Sequence, residues 1–277
     1  MATKKNVNLL FLDGPLGRTK GTISNWTGIG FNIPRSYLEL CGDRQELTYS
    51  GIYFLLGNDE DGNDTFYVGQ ADVRKNKKGV LNRATEPHPE IDYWHTVVTI
   101  TTKDNSLSGT KISYLENKFF NEAKNANRYL VKNLKEPSLG NPSEEEEAEM
   151  DEFIDYVKLL VRGFGYKFFE PISKPKQTKE KVLTYKFKGL VANGMLSDDG
   201  FILLKKSQLV DIKDAAPSLR DYIKDLRETH KSKIKDNVLQ EDLLLNSPSQ
   251  AAMFCCLSPV SGNIAWVNSE GKQLKDI

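Results

Sequence analysis

Cysteine is scarce in this 277-residue chain: Cys41, Cys255 and Cys256 are the full set. An odd number with two adjacent members suits neither a disulfide framework nor a zinc site. The expected compartment is a reducing cytoplasm. Long apolar runs are also missing, and none approaches the roughly 18 residues a membrane span needs, so no membrane partner is expected. The stretch Val7 to Leu12 follows Lys4 and Lys5 but soon meets Asp13-Gly14-Pro15. It reads as a first strand rather than a signal peptide. Charge of one sign is absent as well, with Lys+Arg and Asp+Glu both at 38. That balance excludes a histone-like polycation and an acidic disordered tail, while leaving room for local basic patches. No internal repeat is visible. What remains is 39% hydrophobic and 27% charged residues, which suffices for one large domain or two ordinary ones.

Punctuation divides the chain. Residues 7–135 mix short β-rich runs with one strong helical pattern, and the loop Pro137 to Pro142 follows. Ser143 with Glu146 three residues on predicts a capping box. The acidic run Glu144–Glu147 is then a solvated helix start. Met150, Phe153, Ile154, Val157, Leu160 and Val161 recur on one helical face, which Gly163 and Gly165 end. Residues 171–185 are basic, polar and proline-bearing, and read as a linker with lysines at 174, 176, 179 and 181. A second module, 186–277, follows. Its expected elements are a strand at Phe201–Leu204 after the turn Ser197–Gly200, a helix from Pro217, a helix capped by Ser247 with Gln250, and a closing hairpin from Ile264 to Val267 and on to Leu274.

Chemistry concentrates between residues 51 and 135. Gly51–Leu56 and Thr65–Gly69 flank a segment of nearly pure turn composition, which predicts an antiparallel hairpin. Alternation puts Ile52, Phe54, Leu56, Phe66 and Val68 on one face. Tyr53 and Tyr67 then share the other, since a one-residue slip would reverse every side chain. Cross-strand aromatic packing would account for that pair by itself. Gly109 to Ala126 is helical by pattern, with Ile112, Leu115, Phe119 and Ala123 as its stripe and Glu116 in the middle of it. An inward carboxylate is costly unless a structural arginine neutralises it or it ligates a metal. Arg83 lies among Val80, Leu81 and Ala84, where a guanidinium suits either a surface salt bridge or bidentate phosphate contact. His88 follows in a loop between two prolines.

Gly51-Ile52-Tyr53, Tyr67-Val68-Gly69, Arg83 and Glu116 match the GIY-YIG nuclease superfamily in order and spacing. Ile33-Pro34-Arg35, His88 and Trp94 extend the likeness to a bacterial and archaeal subfamily. The second module resembles a DUF4357-like domain of unknown function that often follows such nucleases, through Asp199-Gly200-Phe201, Ser247-Pro248-Ser249, Ala251-Ala252 and Trp266. The resemblance implies an α+β fold with a three-stranded antiparallel sheet flanked by helices, its third strand at Tyr93 to Thr102, plus a small α+β C-terminal module. It implies a DNA endonuclease using one Mg²⁺, or Mn²⁺ in its place. Glu116 would hold the metal, and Tyr53 would be the general base or its hydrogen-bonding organiser. Tyr67 would position water or phosphate, and Arg83 would neutralise the scissile phosphate. Many members have a His, Lys or Tyr a turn after this arginine; His88, the candidate here, is five residues on and preceded by a proline. A late asparagine often completes such a site; Asn127 and Asn133 both match, and Asn133 fits better from its place after Arg128-Tyr129. The alternative is a nucleic-acid-binding or adaptor protein that keeps the fold with weak or no turnover.

Charge agrees with a DNA partner. From Phe66 to Lys135 there are twelve basic and seven acidic residues, an excess of five, enough for a phosphate-contacting patch. Lys75, Lys77 and Lys78 lie where they could face DNA or lower a tyrosine pKa. No recognition-helix pattern, zinc site or stacked aromatic series is present to read bases, so DNA selection is expected of the C-terminal module, with a protein-interaction or purely structural role as the alternative.

Overall fold

The computed structural model describes residues 4–60, 62–73, 79–171 and 182–277. Lys75, Lys77, Lys78 and most of the expected linker, with its four lysines, lie outside the described residues. The chain divides into two compact units, Met1–Pro171 and Ile172–Ile277.

The first unit is built on strands β1 (Val7–Phe11), β2 (Thr19–Ile23), β3 (Gly28–Pro34), β4 (Gly51–Asn58) and β5 (Asp64–Ala71), helix α1 (Val80–Ala84), strand β6 (Thr96–Thr102), helix α2 (Gly109–Ala126), the short β7 (Leu130–Val131) and helix α3 (Glu144–Gly163). The expected three-stranded sheet is instead seven-stranded, in the order β1-β2-β3-β6-β4-β5-β7. The hairpin β4–β5 and strand β6 are its middle. The N-terminal strands extend it on the β6 side, and β7 adds a parallel edge to β5 at Thr65 and Phe66.

The glycines of β2 and β3 explain both the extension and the helix that covers it. Gly21 and Gly30 pair across the strands. A Cβ on Gly21 would meet Leu160 Cδ1 at 2.5 Å, and one on Gly30 would meet Leu160 Cδ2 at 2.6 Å. The paired glycines therefore form a furrow that seats Leu160 of α3 against the sheet. Helix α3 begins as its sequence dictates. Ser143 accepts from the Glu146 amide at 3.3 Å, and Glu146 returns the bond to the Ser143 amide at 3.1 Å. Ser143→Ala is expected to lower unfolding free energy by ~1 kcal/mol, read as a shifted urea midpoint at unchanged slope.

The sheet has two unlike faces. Ile52, Phe54, Leu56, Phe66, Val68, Val98 and Ile100 pack with Ile112, Leu115 and Phe119 of α2 and with the apolar stripe of α3. Tyr53, Leu55, Ala71 and Val97 pack on the other side with Val80 and Ala84 of α1, Ile91 and Trp94. The alternation read from the hairpin is thus the alternation observed.

The second unit has strands β8 (Leu183–Phe187), β9 (Leu190–Ser197) and β10 (Gly200–Leu203), helix α4 (Asp221–Thr229), the small pair β11 (Ile234–Lys235) and β12 (Val238–Leu239), strand β13 (Leu243–Leu245), and helices α5 (Pro248–Cys256) and α6 (Gly262–Ala265). Its main sheet runs β13-β10-β9-β8, all antiparallel. Trp266 is fully buried against Phe201 and Tyr185, with its indole N–H donating to Pro248 O at 2.8 Å. Cys41, Cys255 and Cys256 are buried free thiols, behaving as small core groups. Arg227, 4% exposed, is kept by two carbonyls, Phe254 O at 2.9 Å and Val210 O at 3.0 Å.

Two expectations fail here. The helix assigned to Pro217 starts at Asp221, because Ala216 O is already spent on a turn to the Leu219 amide. Ile264 and Ala265 are helical rather than extended: the Ala265 amide bonds back to Ser261 O at 3.0 Å, and the chain straightens only to bridge Val267 with Thr184 and Gln273. Among the described residues, no helix is long and apolar enough to cross a membrane.

Candidate active site

Tyr53 and Gly69 are paired residues of β4 and β5. A Cβ on Gly69 would lie 2.3 Å from both Cζ and Oη of Tyr53. The phenol ring therefore crosses β5 over this glycine and carries its hydroxyl away from β4. Gly51 has the companion role, since a Cβ there would be 2.2 Å from the Ile100 carbonyl oxygen of β6. The two glycines of the paired tripeptides are steric necessities of a closely packed sheet.

Tyr67 and His88 complete an aromatic group with Tyr53. The Tyr53 and Tyr67 ring centroids are 6.4 Å apart, and His88 lies 5.0 Å from Tyr67 and 5.7 Å from Tyr53. His88 is 8% exposed, and its Nε2–H donates to Arg83 O at 3.3 Å. Burial pushes its pKa below the usual histidine value, so the ring is neutral. It holds the turn after α1 rather than presenting a proton to solvent. Arg35 braces the same segment from outside, donating to Asp92 O and Trp94 O and lying 4.6 Å over the Trp94 ring.

Burial also sets the state of the tyrosines. Tyr53 is 1% exposed, and desolvation, with smaller contributions from Tyr67 and Glu116, pushes its pKa well above the ordinary phenol value. Arg83 acts the other way and does not prevail. A lowered pKa would need positive neighbours and the metal; Arg83 alone does not supply it, and Lys75, Lys77 and Lys78 lie outside the described residues. Tyr53 is a neutral phenol at physiological pH. Tyr67 is half-buried, with its pKa raised by desolvation and by the charges of Glu116 and Glu90.

Glu116 belongs to the opposite face. Helix α2 packs on the Phe54 side of the sheet, across from the tyrosines. The resemblance implies one cleft shared by Tyr53, Tyr67, Arg83 and Glu116; that fails for Glu116, which lies across the sheet from Tyr53, with Arg83 the charge that bears on both. Two contacts cover the outer edge of β5 as far as Val68. Strand β7 pairs only with Thr65 and Phe66. The Asn133 carboxamide then occupies the main chain of Val68, accepting from its N–H at 3.1 Å and donating to its C=O at 2.8 Å. Asn133 is thereby spent on the strand edge, and Asn127 is the left-handed C-cap of α2 with φ 47°. Neither lines the cavity beside Glu116.

That cavity, about 550 Å³, is lined by Gln70, Asp72, Arg83, Gly109, Thr110, Ser113, Gly140 and Asn141. Gln70 Nε2 donates to Glu116 Oε2 at 2.7 Å. Burial raises the Glu116 pKa to about 7, against the opposing pull of Gln70 and Arg83. Arg83 forms an ion pair with Glu86, and its buried Nε has no hydrogen-bond partner. Arg83 also lowers the pKa of Tyr53, Tyr67 and Glu116 alike, so it acts on both sides of the β5 edge. Gln70 was not singled out from the sequence; its place directly after Tyr67-Val68-Gly69 was the available signal. Among the described residues, no three His, Cys, Asp or Glu side chains gather into a metal cage.

Residues 183–277 match the family described as a domain of unknown function (DUF4357). The match covers the second unit's described elements from β8 onward. No curated protein and no solved structure matches the chain.

Proposed function

We propose that the first unit is a GIY-YIG-type nuclease module that hydrolyses DNA phosphodiesters with Mg²⁺, or with Mn²⁺ in its place. The observation that carries this reading is the reach of Arg83. Its charge bears on Glu116, Tyr67 and Tyr53 at once, tying side chains from α1, α2, β5 and β4 into one electrostatic unit beside a cavity. A carboxylate whose burial raises its pKa to about 7 is short of positive charge, which a cation supplies. Its surroundings, an amide and a hydroxyl, are hard oxygen and nitrogen groups without a competing soft ligand. Magnesium keeps most of its waters and accepts one or two protein carboxylates, so Glu116 suffices to hold it. When bound, the ion polarises the phosphoryl oxygen as a Lewis acid.

The chain's own groups supply the rest. Arg83 exchanges its half-buried partner Glu86 for a phosphate oxygen, bringing its Nε into a bidentate contact. It then stabilises the charge that develops in the transition state. The Tyr67 hydroxyl orients water or phosphate at the edge of β5. Tyr53, as a neutral phenol, organises by hydrogen bonding and takes no proton. The second unit, with its DUF4357 match, is proposed to select the DNA or to bind a protein partner.

A second reading is favoured by one observation. Tyr53 is 1% exposed, and its burial opposes ionisation, which suits a nucleic-acid-binding or adaptor protein with weak or no turnover. One experiment separates the two: incubation with supercoiled plasmid, Y-shaped and single-stranded DNA, with and without Mg²⁺. Strand scission only with the metal is the expected result. Retention of DNA without scission in Mg²⁺ or Mn²⁺ gives the second reading, and absence of both binding and scission removes both.

A further inference from the structure

We infer that Gln70 is the positioning residue that orients the Glu116 carboxylate toward a divalent cation, with Ser113 holding the other end of the Gln70 amide. The inference rests on the metal-dependent reading above and deepens it at the same site. Gln70 follows Phe66 and Val68 on the α2 side of β5. Ser113 and Glu116, three residues apart, share one face of α2. Gln70 bridges them: Ser113 Oγ–H donates to Gln70 Oε1 at 3.4 Å, and Gln70 Nε2 donates to Glu116 Oε2 at 2.7 Å.

The ionised carboxylate sets the sense of the amide, since a flipped amide would turn its oxygen toward Glu116, while the Ser113 hydroxyl can donate or accept. The bond to Gln70 uses Oε2 alone. A carboxylate fixed through one oxygen can offer the other to a cation. Gln70 and Ser113 both line the cavity; Glu116 is not among its lining residues, and the Gln70 amide links that wall to the carboxylate. Partners of this kind fix the rotamer of a metal-ligating side chain, and their loss weakens metal binding without touching the ligand.

The test uses the full-length protein with MgCl₂ alone, no DNA, and reads the metal-dependent rise in melting temperature. Gln70→Met keeps length and volume while removing both amide bonds. It is expected to raise the half-saturating Mg²⁺ concentration by about 10- to 100-fold. Ser113→Ala leaves strand and carboxylate intact, and a smaller rise is expected. This milder variant keeps the inference testable if Gln70→Met fails to fold. A half-saturation unchanged from the parent in the folded variants overturns the role of Gln70 and leaves the metal reading standing. A parent protein whose melting temperature does not respond to Mg²⁺ overturns the metal reading, and this inference with it.

Discussion

Glu116→Gln is expected to make the metal-free protein more stable above neutral pH, not less. Burial raises the Glu116 pKa from 4.5 to about 7. Between those values the folded chain holds a proton that the unfolded chain has released. The stability this provides is complete below about pH 4.5 and is lost as pH rises through about 7. At pH 8 both states are ionised there, and the fold carries a desolvated carboxylate worth about 3 kcal/mol against it. Glutamine removes the charge and keeps an oxygen to accept from Gln70. The variant should therefore gain roughly 1–3 kcal/mol at pH 8 and little at pH 4.5. Urea denaturation of parent and variant at the two pH values checks this. A variant less stable than the parent at pH 8 would show that the carboxylate is satisfied without a cation. Under the proposed chemistry the same substitution abolishes cleavage and leaves DNA binding largely intact, since one metal ligand serves catalysis more than phosphate affinity. A stabilised but inactive protein marks a group kept in an unfavourable state for function.

The parts of this structure legible in the sequence are those set by short-range rules. Alternation in Gly51–Leu56 and Thr65–Gly69 gave the two faces of the hairpin. Ser143 with Glu146 and Ser247 with Gln250 gave helix starts, because a cap is a bond between residues three apart. Strands β2 and β3 were hidden because glycine weakens the local signal of a strand. The paired Gly21 and Gly30 answer to a helix more than a hundred residues away, whose Leu160 fills the furrow they make. The candidate site divides in the same way. Residue types and order at Tyr53, Tyr67, Arg83 and Glu116 were visible, as was the inward glutamate. That the sheet separates Glu116 from Tyr53 was not, because it depends on which face α2 packs against. Burial of Tyr53 was invisible for a related reason, since it needs the rings of Tyr67 and His88 brought together in space.

Gly69→Ala should test whether the position of the Tyr53 ring matters for the fold as well as for the site. Gly69 is not among the glycines with positive φ, so alanine carries no conformational penalty there and would favour a strand on intrinsic grounds. The cost is steric. The new methyl would sit 2.3 Å from Cζ and Oη of Tyr53, closer than any real contact, so the ring must leave. It has little room to do so, being 1% exposed, with the His88 ring centroid at 5.7 Å and Tyr67 at 6.4 Å. Overpacking of this kind costs about 2–3 kcal/mol, more if the ring is expelled to water. The pairing of the two residues permits a sharper measurement. In Gly69→Ala with Tyr53→Leu the clash is gone, and the double variant should be more stable than the sum of the single losses predicts by at least ~1 kcal/mol. Additive losses would mean that the ring does not rest on Gly69. If the double variant recovers stability and still fails to cleave DNA, the phenol is required for the reaction. Restored cleavage would leave Tyr53 as a packing residue and return the site to Tyr67, Arg83 and Glu116.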